Sequence, residues 1–552
     1  MAADPLPRMF GVETEYAFVA RAKRGCSIER DQILHEVMHA AKERLPHLAG
    51  IHDTDLYLAN GSRLYVDTGG HPELCTPECT NPWDVVRYIL AGERLLADLC
   101  MEVESRVPEL QEVLLLKCNV DYTGARTTWG SHESYLHTAD PKTLAEQLVP
   151  FLVSRMVYAG AGGFDSRSLG LEFMLSPRAA HITHVVSPHS TGERGIVHTK
   201  EESLCRGAYR RLHLLCGESL CSEVATWLRI GATALVVALV ENGRRPGEAV
   251  ALQSPVEALQ TFARDPNCSR EVPLANRPPM GAVAIQRHYL GFAEDCLGQP
   301  FMPPWAETVC RVWREMLDRL ENAARSMSST LDWAIKRDLF EKHTQRKGID
   351  QRTWAPWTTV LRALRAALDE TPYKGKKVRI EVAIAAESPI RDDVQRLTSF
   401  LDEHALRWDL LRPFMDYRQE LFEIDLRFGR VGRQGLFAAL DESGVLAHHF
   451  PGVDNIEHAM ANPPAEGRAR LRGEAIREHL GRPHYRCGWD SVWDQKAGRV
   501  LDLADPFARE KRWKKMGASD RLRSVPDLFR LFGFDEEEGA GMGDIRGRPH
   551  SE

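Results

Sequence analysis

Residues 60–79 read Asn60-Gly61-Ser62-Arg63-Leu64-Tyr65-Val66-Asp67-Thr68-Gly69-Gly70-His71-Pro72-Glu73-Leu74-Cys75-Thr76-Pro77-Glu78-Cys79. Arg63, Tyr65 and Asp67 alternate with Leu64 and Val66, so on a strand three polar groups share one face. The glycine pair permits a sharp return that brings Glu73 and Thr76 to the same place. Arginine suits phosphate oxygens, and carboxylates suit metal ions that bridge phosphates. An aspartate that ligates nothing can accept a proton from an attacking group. Taken alone, the stretch is equally a polar strand face followed by a turn.

Upstream lies Gly11-Val12-Glu13-Thr14-Glu15-Tyr16. On a strand Glu13 and Glu15 project together, and paired carboxylates repel unless a cation sits between them or one is protonated. Hard oxygen ligands on a rigid strand suit Mg²⁺. A solvent-facing acidic strand edge is the plainer reading of this segment alone.

Further along, Met9–Ala20 reads as one strand, Arg63–Asp67 as another and Val113–Leu116 as a short buried one. Asn81-Pro82 caps a helix, Leu144–Tyr158 is an amphipathic helix, and Ser222 caps a long apolar helix that stops at Asn242-Gly243. Residues 303–347 are helical in pattern. Residues 350–420 differ in texture and read as an insert of unknown role. The expected class is therefore α+β, without regular strand–helix alternation. Ala159–Gly163 (AGAGG) lacks the lysine of a P-loop and reads as a turn, and Arg509–Lys515 (REKRWKK) as a solvated helix face.

The chain has 552 residues, more than one core accommodates, so one large domain plus additions is expected. With 43% hydrophobic and 27% charged residues it is ordinary globular protein. Its 71 basic and 78 acidic residues sum to −7, which gives no general footprint for nucleic acid. Twelve cysteines contain no CxxC pair, and Cys75/Cys79 lack further zinc partners, so reduced thiols are expected. The N-terminus is unlike a signal peptide, and Ile230–Val240 is too short to span a bilayer. A soluble cytoplasmic protein, with neither nucleic-acid nor membrane partners, is the expectation.

Together, GVETEY and NGSRLYVDTGGHPELCTPEC closely resemble the Pup ligase and depupylase family (proteasome accessory factor A and its relative). Lys117–Asp121, Gly130–Tyr135, Pro150–Arg155, Tyr209–His213, Leu331–Trp333, Ile424–Leu426 and Arg468–Glu474 follow in the family's order, spanning most of residues 9–515. That family is similar in fold to glutamine synthetase and the glutamate–cysteine ligases. The resemblance therefore implies a large curved antiparallel-sheet cradle with helices and a small C-terminal domain. The boundaries expected are 1–349 for the first part of the catalytic domain, 350–420 for the insert, 421–535 for its end and the small domain, and 536–552 for a disordered tail.

The resemblance further implies an enzyme using ATP and Mg²⁺ to phosphorylate the side-chain carboxylate of a C-terminal glutamate in a Pup-like protein modifier. A lysine of a protein substrate then attacks, leaving an isopeptide bond. Carried over by position, Glu13, Tyr65 and Glu73 look like metal ligands, and Arg63 and Thr76 like ATP contacts. Asp67 matches the catalytic aspartate, and Trp489 the residue that packs on the nucleotide. Glu15 and His213 are further candidate ligands; a buried structural histidine is the other reading of His213. The depupylase branch resembles the ligase but carries a long loop between the glutamate strand and the Arg-x-Tyr-x-Asp strand. Here Arg63 follows Glu13 by only 50 positions, which favours a ligase. A deamidase or depupylase of the same fold, or a ligase for a small-molecule carboxylate, is the alternative. The chain departs from the family at His198–Ser203, where an arginine-containing Asn-Thr-Arg-Asp-Glu-Pro-His-like stretch is usual and Lys200 stands instead.

Overall fold

Phe10–Glu15 (β1) runs through the middle of a nine-stranded sheet, with Glu13 and Glu15 on one face and Phe10, Val12 and Thr14 on the other. A computed structural model describes residues 8–52, 54–67, 69–123, 127–168, 170–190, 192–200, 204–349, 354 and 412–523. The strand expected over Met9–Ala20 is two strands. After β1 the chain turns at Tyr16, which is fully buried and whose N–H donates to the Pro72 carbonyl at 3.0 Å. Ala17–Ala22 (β2) then pairs in a separate ribbon with a later strand, Leu110–Leu116 (β7).

On one side of β1 lie Pro72–Cys75 (β6), Arg63–Val66 (β5), Leu56–Leu58 (β4) and His47–Ala49 (β3) in that order. On its other side come Ser131–His137 (β8), Arg210–Leu214 (β13), Gly195–His198 (β12) and His184–Ser187 (β11). Gly163–Phe164 (β9) and Phe173–Met174 (β10) form a small pair of their own. The large sheet is antiparallel, as expected for the cradle, except at its edge, where β11 and β12 run parallel.

One face of this sheet is apolar. Phe10, Val12, Tyr135, Leu212, Leu214 and Val197 pack against the helices Pro82–Arg106, Pro141–Ser154 and Glu223–Glu241. Asn81 and Ser222 cap two of these as expected, accepting from the Asp84 and Ala225 N–H groups. The run Ile230–Val240 belongs to a 19-residue helix that is long and apolar enough to cross a membrane by length and composition alone. Here 94% of its apolar window is enclosed by the sheet and neighbouring helices. Burying each such aliphatic side chain contributes roughly 1.5–3 kcal/mol, so the helix anchors the core.

The opposite face is polar over its centre, and at the β3–β4 end it is covered by a C-terminal unit. There Leu48, Tyr57 and Ala59 meet Leu471 and Ile476 of the helix Gly467–Glu478, together with Tyr485, Val492 and Leu501. These last come from a small antiparallel sheet of Tyr485–Cys487, Ser491–Asp494, Arg499–Asp502 and Trp513–Lys515.

The expected 350–420 insert narrows from both ends. Trp354 stacks among Phe164, Phe173 and Phe340 and donates to the Tyr417 hydroxyl. The helix Arg412–Phe428 crosses the expected boundary, because Tyr417, Leu421 and Phe422 belong to the same apolar cluster. The remainder of the insert and the expected tail, 536–552, lie outside the described residues. All twelve cysteines are free thiols.

Candidate active site

Residues opposite each other in an antiparallel ladder point to the same side, so the register alone assembles a polar face. Glu13 stands between Cys75 on β6 and His132 on β8; Glu15 faces Glu73, which faces Tyr65. Arg63 follows beyond Cys75. On the other flank Ser134 pairs with His213, and His213 with His198. The alternation of Arg211 and His213 on β13 brings the guanidinium to this face as well.

Two overlapping clusters result. Glu13, His132 and His213 can each offer a ligand atom within 4.8 Å of one another, and so can Glu15, Glu73 and His132. Arg211 Nη2 lies 2.6 Å from Glu13 Oε1 and its Nε donates to Ser134 Oγ at 3.0 Å. Burial would raise the Glu13 carboxyl, but the Arg211 guanidinium first, and then the neighbouring His132 and His213 rings, hold it well below the usual carboxylate range. Glu73 is the reverse case: burial and the charges of Glu13 and Glu15 push its carboxyl well up. The two neighbouring carboxyls are thus pushed in opposite directions.

His213 is buried, and neither ring nitrogen has a hydrogen-bond partner among the described residues. Burial and the Arg211 charge hold its imidazole well below its usual value, which keeps a lone pair free. Both clusters are fixed from behind. Gly130 donates its N–H to Glu15 Oε2 at 2.7 Å, and a Cβ there would come 2.4 Å from His132 Nε2, so the position requires glycine. Arg178 reaches His132 Nε2 at 3.3 Å and Thr128 Oγ1 at 2.8 Å.

Tyr65 joins the cluster through Glu73, opposite which it stands in the β5–β6 ladder. Burial, then Cys75 and Glu73, push the phenol far above its ordinary value, so it keeps its proton. Arg63 stacks 3.9 Å over the Tyr65 ring and pairs with Asp55 at 2.8 Å. Asp67 directly follows β5, and Gly70 adopts a φ of +73° to close the return. One Asp67 oxygen accepts the His71 N–H at 2.6 Å, and the other lies 3.4 Å from His71 Nδ1.

A cavity of about 130 Å³ opens beside Glu13, lined among others by Gly11, Thr76, Leu136, Arg211 and Trp489. Thr76 Oγ1 accepts the Val12 N–H at 3.1 Å, which seats it against β1. Trp489 reaches the cavity from the small C-terminal sheet and meets Tyr57 edge-on at 5.5 Å. Thus the carboxylate and histidine candidates come together, Thr76 and Trp489 share the adjoining cavity, and Arg63 on β5 and Asp67 just beyond it flank Tyr65. Sequence reasoning missed His132, Arg211 and Asp55, although His132 and Arg211 sit inside matched segments, Arg211 two residues before His213. A strand's period of two was the available signal.

The family model described as Pup-ligase protein matches residues 8–362 and 388–493. The Pup–protein ligase of Acidimicrobium ferrooxidans is 29% identical over 513 residues, covering 91% of this chain and 96% of that protein. Pup–protein ligase 1 of Rhodococcus erythropolis is 32% identical over 511 residues, with the same coverage. In fold the chain is similar to the ligase PafA in its complex with the prokaryotic ubiquitin-like protein Pup, with a TM-score of 0.68 at 22% identity, covering 98% of this chain and 99% of that one. PafA in complex with ADP gives 0.63 at 22% identity, covering 91% and 95%.

Proposed function

This chain belongs to the Pup-ligase family, and on that premise we propose that it is an ATP-dependent ligase joining a Pup-like protein, through a glutamate side chain, to lysines of other proteins. The observation that carries this reading is the meeting of Glu13, Glu15, Glu73, His132 and His213 on one strand face beside a cavity bearing Trp489.

A carboxylate is a poor electrophile. Transfer of the γ-phosphoryl group of ATP to it releases ADP and leaves an acyl phosphate, whose phosphate then departs when the lysine amine attacks. The protein's part is to orient the reactants and balance charge. Trp489 offers the flat apolar surface a purine base packs on, and Thr76 a hydroxyl at the same cavity. Arg63 presents a planar guanidinium of the kind that grips phosphate. Asp67 would take the proton that the lysine ammonium loses to become the attacking amine.

The three carboxylates fit a hard divalent cation such as Mg²⁺, because such a cation offsets the repulsion among Glu13, Glu15 and Glu73. The orphaned imidazole of His213 adds a neutral donor at the same place. Bound there, Mg²⁺ would neutralise the charge developing on the transferring phosphoryl group. The connection in which the depupylase branch carries its extra loop is occupied by β2, the helix Arg30–Arg44, β3 and β4.

The test supplies ATP, Mg²⁺, a Pup-like protein ending in glutamate and a lysine-rich protein. ADP release and an adduct of the summed mass less one water are expected. Absence of nucleotide turnover with every carboxylate tried would refute the ligase reading, and cleavage of a preformed conjugate without ADP release would point to the hydrolytic branch.

A further inference from the structure

Glu78 lies just beyond the strand that carries Glu73, between two points tied to β1. Thr76 N–H donates to the Val12 carbonyl and Cys79 N–H to the Phe10 carbonyl, both at 2.9 Å. Its carboxylate accepts from two arginines of the helix Gly467–Glu478: Arg468 Nε at 2.6 Å and Arg472 Nη2 at 2.5 Å, with Arg472 Nη1 at 3.1 Å. Arg472 is fully enclosed and Arg468 nearly so, while the Glu78 side chain is 14% exposed. Burial would raise the Glu78 carboxyl, but the two guanidiniums lower it to about 2.

Arg472 does not stop at Glu78. Its Nη1 donates to the Trp489 carbonyl at 3.0 Å, its Nη2 to the Gly61 carbonyl at 2.9 Å, and its guanidinium sits 4.8 Å over the indole ring. One guanidinium therefore touches the motif strands, the Glu78 carboxylate, and both the backbone and the ring of Trp489. A planar fork with five donors can do this; an ammonium cannot.

We propose that Glu78 is a positioning residue for the nucleotide, acting through Arg472 to hold the Trp489 indole at the cavity beside Glu13. It sets how tightly a base-bearing nucleotide is held and leaves phosphoryl transfer untouched. The inference rests on the reading that Trp489 receives the base of ATP.

The test uses the full chain and follows ADP release. Losing a buried charge-assisted contact typically costs about tenfold or more in an equilibrium, so Glu78→Gln is expected to raise the KM for ATP by roughly that factor with kcat preserved. Inhibition by ADP should weaken in parallel, while inhibition by inorganic tripolyphosphate, which has no base, stays at the wild-type level. Glu78→Gln combined with Trp489→Ala should be no worse than Trp489→Ala alone, because both remove one interaction. Equal weakening of ADP and tripolyphosphate, a fall in kcat at constant KM, or additive effects in the double variant would overturn the proposal. If Glu78→Gln does not fold, Arg472→Lys keeps a charge on Glu78 but loses the fork. The same KM pattern is expected of it, and a wild-type KM overturns the proposal. An unchanged ATP KM in an active Trp489→Ala enzyme would instead refute the base-packing reading beneath it.

Discussion

Asp67 stands four positions after Arg63 and Glu73 two before Cys75, yet their chemistry differs because of what touches them. Asp67 is half-buried, held by the His71 N–H and close to its ring. Asparagine keeps that shape but cannot accept a proton. Asp67→Asn should keep the fold and Mg-ATP binding and lose amide formation by about 10²–10⁴-fold. Raising the pH should restore part of the rate, since more lysine is then free amine. If high Mg²⁺ rescues better than high pH, Asp67 is a ligand and not a base. Glu13→Ala and Glu73→Ala should each raise the Mg²⁺ concentration needed for half-maximal ADP release, because each opens one position of a divalent shell. Unchanged Mg²⁺ dependence in both would remove them from the metal site.

Strands made this site legible, and helices did not. GVETEY and the Arg63–Asp67 alternation were readable because a period of two assigns faces without knowing any partner. What the period could not give was register. That Glu13 faces His132, and Glu15 faces Glu73, depends on pairing between segments far apart in the chain. The break at Tyr16 was missed for a related reason, since β2 keeps the strand pattern while changing sheets. The expected insert ends at 420, inside the helix Arg412–Phe428, because a difference in texture along the chain does not reveal that Tyr417 belongs to the same apolar cluster as Leu421 and Phe422. The family model is interrupted only over residues 363–387 between its two matched stretches. Deleting those residues should therefore leave ADP formation near wild type while changing which lysine-bearing proteins are modified. Loss of nucleotide turnover by a deletion variant with an unaltered melting temperature would assign the segment to the catalytic unit instead.

Across the whole molecule, buried carboxylates held by arginine recur where large pieces meet. Glu133 of β8 lies in the core with Arg155 Nη2 at 2.5 Å and Arg229 Nε at 3.7 Å, tying the sheet to two helix segments. Glu78 ties the sheet to the C-terminal unit. Burial opposes ionisation of both, and arginine outweighs it in both, so each carboxyl titrates lower in the folded than in the unfolded chain. The sign follows from linkage: unfolding then takes up protons below the unfolded value, near 4.3. Their stabilisation is complete above about pH 4.5 and drains away as the pH falls toward the folded value, which for Glu78 is about 2. A shift of that size corresponds to stability on the order of 3 kcal/mol at neutral pH. Glutamine at 78 cannot titrate, and it leaves Arg468 and Arg472 facing a neutral amide in a buried place. Glu78→Gln should therefore melt below wild type at pH 7, and the gap between the two melting temperatures should close as the pH is lowered from 4.5. Glu133 and Glu13 titrate in both proteins and cancel in the difference. A gap that stays constant from pH 7 to pH 3 would show that Glu78 contributes through shape and not through its charge.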